Sequence, residues 1–125
     1  MTLADAAADV LRGLWTRIDE QRWGDLDEVL DPTLRVEYVH TGEVFDRAAY
    51  IRLNREYPGS WRAHVAETVS SGERAVSRVR VSDGFETYHV ASFATVRDAR
   101  IVNLVEVWSS SGETPPTDRR QADNA

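Results

Sequence analysis

The chain has 125 residues, a net charge of −6 and no cysteine. That length suits one domain with one core, and the missing cysteine excludes disulfides, thiolate metal sites and a Cys nucleophile. An acidic balance without a Lys/Arg cluster argues against nucleic-acid binding, whose affinity comes mainly from phosphate neutralisation. No apolar run reaches membrane-spanning length. Met1 to Asp9 holds two Asp and no basic residue, unlike a signal peptide, so a cytoplasmic location is expected.

From Leu3 to Arg22, Ala7, Val10, Leu11, Leu14, Trp15 and Ile18 recur at helical spacing and predict one long helix. Asp25 to Leu30 reads as a short second helix ended by Pro32. Leu34 to His40 alternates, with Leu34, Val36, Tyr38 and His40 on one face of a first strand. Asp46 is placed to cap a third helix, in which Tyr50, Leu53 and Tyr57 share a face and which Pro58-Gly59 stops. Four strand-like runs follow: Trp61 to Val69, Arg74 to Val81, Phe85 to Ala94 and Arg100 to Trp108. Ser71-Gly72 and Asp83-Gly84 predict tight turns between them, Arg97-Asp98 a looser one. Helices segregated from a meander of strands predict an α+β domain over 3–109, with four or five antiparallel strands and three helices. Residues 110–125, rich in Ser, Gly, Pro, Thr and charge, predict a disordered tail.

Several polar side chains fall among apolar neighbours. Asp19 lies one helical turn after Trp15, either bordering the apolar stripe or serving as a surface acid. Tyr38 sits on the inward strand face and reads as a pocket position. His64 shares a face with the small residues Ala66 and Thr68, which leave room beside it. His89 alternates with Phe85, Thr87, Ala91 and Phe93, which read as the concave face. Tyr88, Val90 and Ser92 then form an outer face with too little charge for solvent, so a second subunit is expected to cover it. Glu106 accompanies Val102, Leu104 and Trp108; it is either an inward carboxylate needing a partner such as His89 or an Arg, or it faces a dimer partner or solvent. His40, His64 and His89 lie on different strands without ligand spacing, so no metal is expected. No phosphate loop, nucleophile elbow or dinucleotide fingerprint occurs.

The element order over roughly Leu3 to Ser109 resembles the nuclear-transport-factor-like superfamily and its SnoaL-like members. That resemblance implies a cone-shaped, barrel-like, curved antiparallel sheet packed on three helices around a central pocket. Locally the chain is most similar to scytalone dehydratases. Asp19 and Trp23 match their helix Asp-x-x-x-Trp, Pro32-Thr33-Leu34-Arg35 and Tyr38 their first strand, and His64 an early His of the second. The likeness implies a carboxylate, a water-holding phenol and a general base at Asp19, Tyr38 and His64. Ile18 stands where that family has a Tyr, and its second catalytic His has no counterpart. Ketosteroid isomerases fit less well, since Arg17, Tyr38 and Ala91 occupy their three catalytic positions.

The expected function is a cofactor-free lyase, isomerase or cyclase working by acid–base chemistry on a small, mostly apolar, oxygenated molecule of polyketide or aromatic type. Asp19, His64 and Tyr38 are the expected catalytic residues. Trp15, His40, Thr87, His89, Phe93, Glu106 and Trp108 are expected to bind substrate. The alternative is a non-catalytic small-molecule-binding or accessory domain of the same fold. The discriminating feature is whether Asp19 and His64 converge on one cavity. The expected partners are the small molecule and a second copy of the chain, or two more in a trimer; neither nucleic acid nor membrane is expected.

Overall fold

The computed structural model describes residues 3–112. The elements run α1 (Leu3–Asp19), a 3-10 helix (Trp23–Glu28), β1 (Leu30–Tyr38), β2 (Glu43–Phe45), α2 (Arg47–Glu56), β3 (Arg62–Ser71), β4 (Arg74–Ser82), β5 (Thr87–Arg97) and β6 (Arg100–Ser110). α1 buries Leu11, Leu14 and Trp15 against the sheet, as its spacing predicts. It stops at Asp19, before the expected Arg22, because Gln21 takes a left-handed conformation. The N–H of Arg22 then donates to the Arg17 carbonyl at 2.8 Å and that of Gln21 to Ile18 at 3.1 Å, a Schellman closure.

The expected second helix is the 3-10 turn, which buries Leu26. β1 starts at Leu30, so Pro32 lies inside a strand instead of ending a helix. The β1–β6 register shifts between Leu30 and Arg35, and Pro32, lacking an N–H, falls in that irregular stretch. α2 is capped as its sequence predicts: Asp46 Oδ1 accepts from Ala49 N–H at 2.9 Å.

Six strands form one curved, open sheet in the order β2-β1-β6-β5-β4-β3. Neighbours are antiparallel except β1 and β6, which are parallel. The expectation of four or five strands, all antiparallel, misses two features. β2 has three residues, too few for alternation to register. The β3–β5 meander returns the chain so that β6 enters beside β1 in the same direction, a pairing that no local pattern encodes. Asp98 and Ala99 both have positive φ between the paired Arg97 and Arg100, making the last turn a tight two-residue one instead of a loose one.

Strand phase departs from expectation on β3 and β5. Ala63 and Val65 are the more buried positions at the start of β3, leaving His64 exposed. On β5, Val90, Ser92, Ala94 and Val96 are buried beside Tyr88, while Phe93 is exposed. Both faces of β5 mix aromatic, small and polar residues, so alternation shows a strand without showing which side is in. Pairing decides it, setting Val90 against Val79 and Ala94 against Leu104, both fully buried. The face expected to meet a second subunit therefore lines the core. Ser110 belongs to β6, and Ser111 N–H donates to Thr87 at 2.7 Å. The rest of the expected tail, residues 113–125, lies outside the described residues.

Candidate active site

Between the C-terminal end of α1, α2 and the concave side of the sheet lies a cavity of about 690 Å³. Its walls include Trp15, Tyr38, Tyr57, Trp61, Tyr88 and Trp108. Ring centroids follow one another at 5.8 Å (Tyr57–Trp61), 5.6 Å (Trp61–Tyr88), 6.2 Å (Tyr88–Trp108) and 6.4 Å (Trp108–Tyr38), a continuous aromatic arc. Such a wall favours an apolar, ring-containing guest.

Behind Tyr38 and Trp108 lies Glu106, with no exposed surface. Trp108 Nε1 donates to its Oε1 at 2.9 Å and the Tyr50 hydroxyl to its Oε2 at 2.8 Å. Tyr38, the cross-strand neighbour of Glu106 on β1, sets its phenol close to the same carboxyl. Burial pushes Glu106 up to about 7, against the opposing pull of these three neutral groups. Both phenols are pushed above their ordinary value, first by burial and then by the Glu106 charge. Of the two readings open for Glu106, an inward carboxylate or one facing a dimer partner or solvent, the structure shows the inward one, but neither His89 nor an Arg partners it. Tyr50 was visible only as one aromatic on a helix face. It meets Glu106 because α2 packs on β1, next to β6.

Asp19 reaches the cavity rim. Arg62 grips it through Nε at 2.9 Å and Nη2 at 3.1 Å, and Ala63 N–H donates at 2.8 Å. The Arg62 hydrogen bonds hold its carboxyl below the ordinary range. It is an ionised clamp between α1 and β3. His40 lines the cavity mouth, its ring stacked on Tyr38 at 5.4 Å. His64 points away from the cavity, paired across strands with Arg80 on the outer face, so Asp19 and His64 do not converge. Thr87, His89 and Phe93 share that outer side of β5 and are absent from the cavity wall; His89 Nε2 lies 3.3 Å from Ser111 Oγ. The shared cause is the one-residue phase error on each strand. Trp61 and Tyr88 were missed as wall residues, although Tyr88 alternates with Val90 and Ser92 in the pattern of the buried face. No group of three or more His, Asp or Glu side chains among the described residues could hold a metal ion. No helix among the described residues is long and apolar enough to cross a membrane.

No curated protein sequence matches this one. The SnoaL-like domain profile, however, matches residues 11–104, most of the chain. The chain belongs to the SnoaL-like family. Solved structures place this SnoaL-like domain in the same company. It is similar to a Kribbella flavida protein provisionally described as a ketosteroid isomerase, with TM-score 0.83, 25% identity and coverage of 95% of this chain and 90% of that one. An NTF2-like protein of unknown function from Burkholderia xenovorans gives 0.78 at 18% identity, covering 94% and 92%. IdmH of Streptomyces antibioticus, provisionally a polyketide cyclase, gives 0.72 at 18% identity, covering 82% and 91%. The last two, at that identity, show the fold alone.

Proposed function

We propose that this SnoaL-like domain is an acid–base enzyme, an isomerase, cyclase or dehydratase, acting on a small, mostly apolar, oxygenated molecule of aromatic or polyketide-like type. The observation that carries this reading is the placement of buried Glu106 directly beside Tyr38, whose phenol lines the aromatic cavity. When Glu106 is ionised, Tyr38 donates to it and offers its oxygen to a ligand hydroxyl. When Glu106 is protonated, the bond reverses and Tyr38 donates to a ligand carbonyl. A proton thus passes between carboxyl and ligand oxygen through one phenol, and a carboxyl poised near neutrality suits that work. His40, stacked on Tyr38, adds an imidazole to the same wall. The reading uses the chain's own residues throughout. The neighbours provisionally described as an isomerase and a polyketide cyclase are consistent with it.

The test begins with a thermal-shift screen of oxygenated aromatics and polycyclic ketones, since a bound ligand stabilises by mass action. Tyr38→Phe and Glu106→Gln should still bind the ligand found and lose turnover by roughly a hundredfold or more. Wild-type turnover in both variants refutes the acid–base reading. Binding without conversion by the wild type itself supports a carrier domain, the reading that the clamped Asp19 and the outward His64 favour.

A further inference from the structure

Among the described residues the fully buried polar side chains, Ser77, Ser92 and Glu106, form one row across the sheet. Ser77 stands opposite Ser92, and Ser92 opposite Glu106. Thr68 on β3 extends the row at one end and Tyr38 on β1 at the other. Thr68 joins it because the β3 register shifts between Val65 and Glu67, so Thr68 turns inward instead of Glu67. The rows on either side are apolar: Val79, Val90 and Trp108, and Ala75, Ala94 and Leu104. Packing alone would favour an apolar residue at Ser77 as well. Instead Ser77 Oγ and Thr68 Oγ1 are buried with no hydrogen-bond partner among the described residues, a net cost to folding. Ser92 Oγ accepts from Trp15 Nε1 at 3.3 Å and keeps its own proton to donate. Directly opposed side chains on one sheet face have Cβ atoms about 5 Å apart, a gap that one water bridges between two hydroxyls.

We propose that Thr68, Ser77 and Ser92 form a hydrated proton route joining Glu106 to solvent at the β3 edge of the sheet. β3 ends the strand order, and Thr68, half-buried with its hydroxyl inward, is the row's last residue before that edge. The route rests on the reading of Glu106 as the acid–base group and serves it in one specific way. A ligand that fills the cavity cuts Tyr38 off from water. The row lets Glu106 recover or release its proton while the ligand stays. The groups facing the carboxyl are Tyr38 from β1, Tyr50 from α2 and Trp108 from β6, with Ser92 opposite on β5 and Trp15 of α1 against Trp108; none of the groups that shift it is charged.

The experiment separates the two exits. Trp108 donates directly to Glu106, so its fluorescence follows the carboxyl charge, and Glu106→Gln supplies the blank. Tyr38→Phe closes the cavity exit. In that background a stopped-flow jump from about pH 8 to about pH 6 should still protonate Glu106 rapidly. Adding Thr68→Val and Ser77→Ala should slow the transition at least tenfold and leave its amplitude unchanged; Ser77→Ala alone should slow it in the same direction. A rate indifferent to these substitutions overturns the route and leaves the reading of Glu106 standing. A wild type without a transition overturns both. A high-resolution crystal structure should hold water within hydrogen-bond distance of Thr68 Oγ1 and Ser77 Oγ; a dry row also overturns the route.

Discussion

Replacing Glu106 by Gln should stabilise the protein relative to wild type as pH rises. The unfolded chain releases this proton near the ordinary value of 4.5, whereas the folded protein holds it to about 7. Between those values the native state binds more protons than the unfolded state, so stability falls with rising pH and levels off above the upper value. Two and a half units correspond to about 3 kcal/mol, the free energy of ionising a carboxyl in this apolar site against three neutral groups. Gln does not ionise. Its amide oxygen can accept from Trp108 Nε1, and its NH₂ can donate to the Tyr50 and Tyr38 oxygens, so the site remains hydrogen-bonded. Asp19, Asp31 and Asp83, held below their ordinary values, act in the opposite direction at lower pH and cancel in the comparison. Urea unfolding of both proteins between pH 5 and 8 should therefore show the difference moving by about 2.5 kcal/mol in favour of Gln, or roughly 10 °C in Tm. A difference that stays constant across that range would refute an ionising carboxyl beneath Tyr38.

Asp19→Asn should cost about 1 kcal/mol at pH 7, because the Arg62 side chain is 78% exposed and its charge is screened. That loss should shrink as pH falls below the ordinary Asp value, where the wild-type carboxyl protonates in turn; an equal loss at pH 3 and pH 7 contradicts the ion pair. Ala99→Gly should raise stability by about 1 kcal/mol, since Ala99 holds a φ of 64° that glycine adopts without strain; an unchanged or lower Tm counts against the turn geometry. On the outer sheet face Phe93 and Val107 are 37% and 39% exposed, and we expect a second copy to cover them. Light scattering should give a dimer that Phe93→Asp dissociates, and a monomeric wild type at micromolar concentration excludes it.

The helices were legible because each carries a local signal: the apolar spacing of Leu11, Leu14 and Trp15, and the Asp46 cap. The inward face of β1 was legible because Leu34 and Val36 alternate with Arg35 and Glu37, a contrast strong enough to fix the phase. β3 and β5 offer no such contrast. Ala63, Val65 and Thr68 face in across a bulge that no local pattern announces, and the bulge reverses the phase midway along the strand. His64 looked like a pocket residue because its neighbours are small, but size carries no information about side. Leu104 and Trp108 marked Glu106 as a possible inward carboxylate without deciding it against a partner- or solvent-facing one. Its partners were not legible, because Tyr50 and Tyr38 reach it across a helix–sheet contact and a parallel strand pair.

The two acids marked out by the sequence each sit close to a Trp in the chain, Asp19 four residues after Trp15 and Glu106 two before Trp108. Their environments push them in opposite directions. Asp19 lies where α1 meets the start of β3, within reach of a guanidinium fork and a backbone N–H, and both favour its charge. Glu106 lies where one phenol and one indole donate to it, with the Tyr38 phenol beside them, and burial outweighs these neutral groups. At neutral pH the first acid has no proton to give and holds its charge too firmly to take one. The second can do both. The difference follows from one register: β6 enters beside β1, which sets Glu106 against Tyr38 in the interior while Asp19 stays at the rim. Shifting β6 by one residue would turn Glu106 to the outer face. The aromatic cavity would then keep its ionised rim and lose the carboxyl whose charge changes near neutrality.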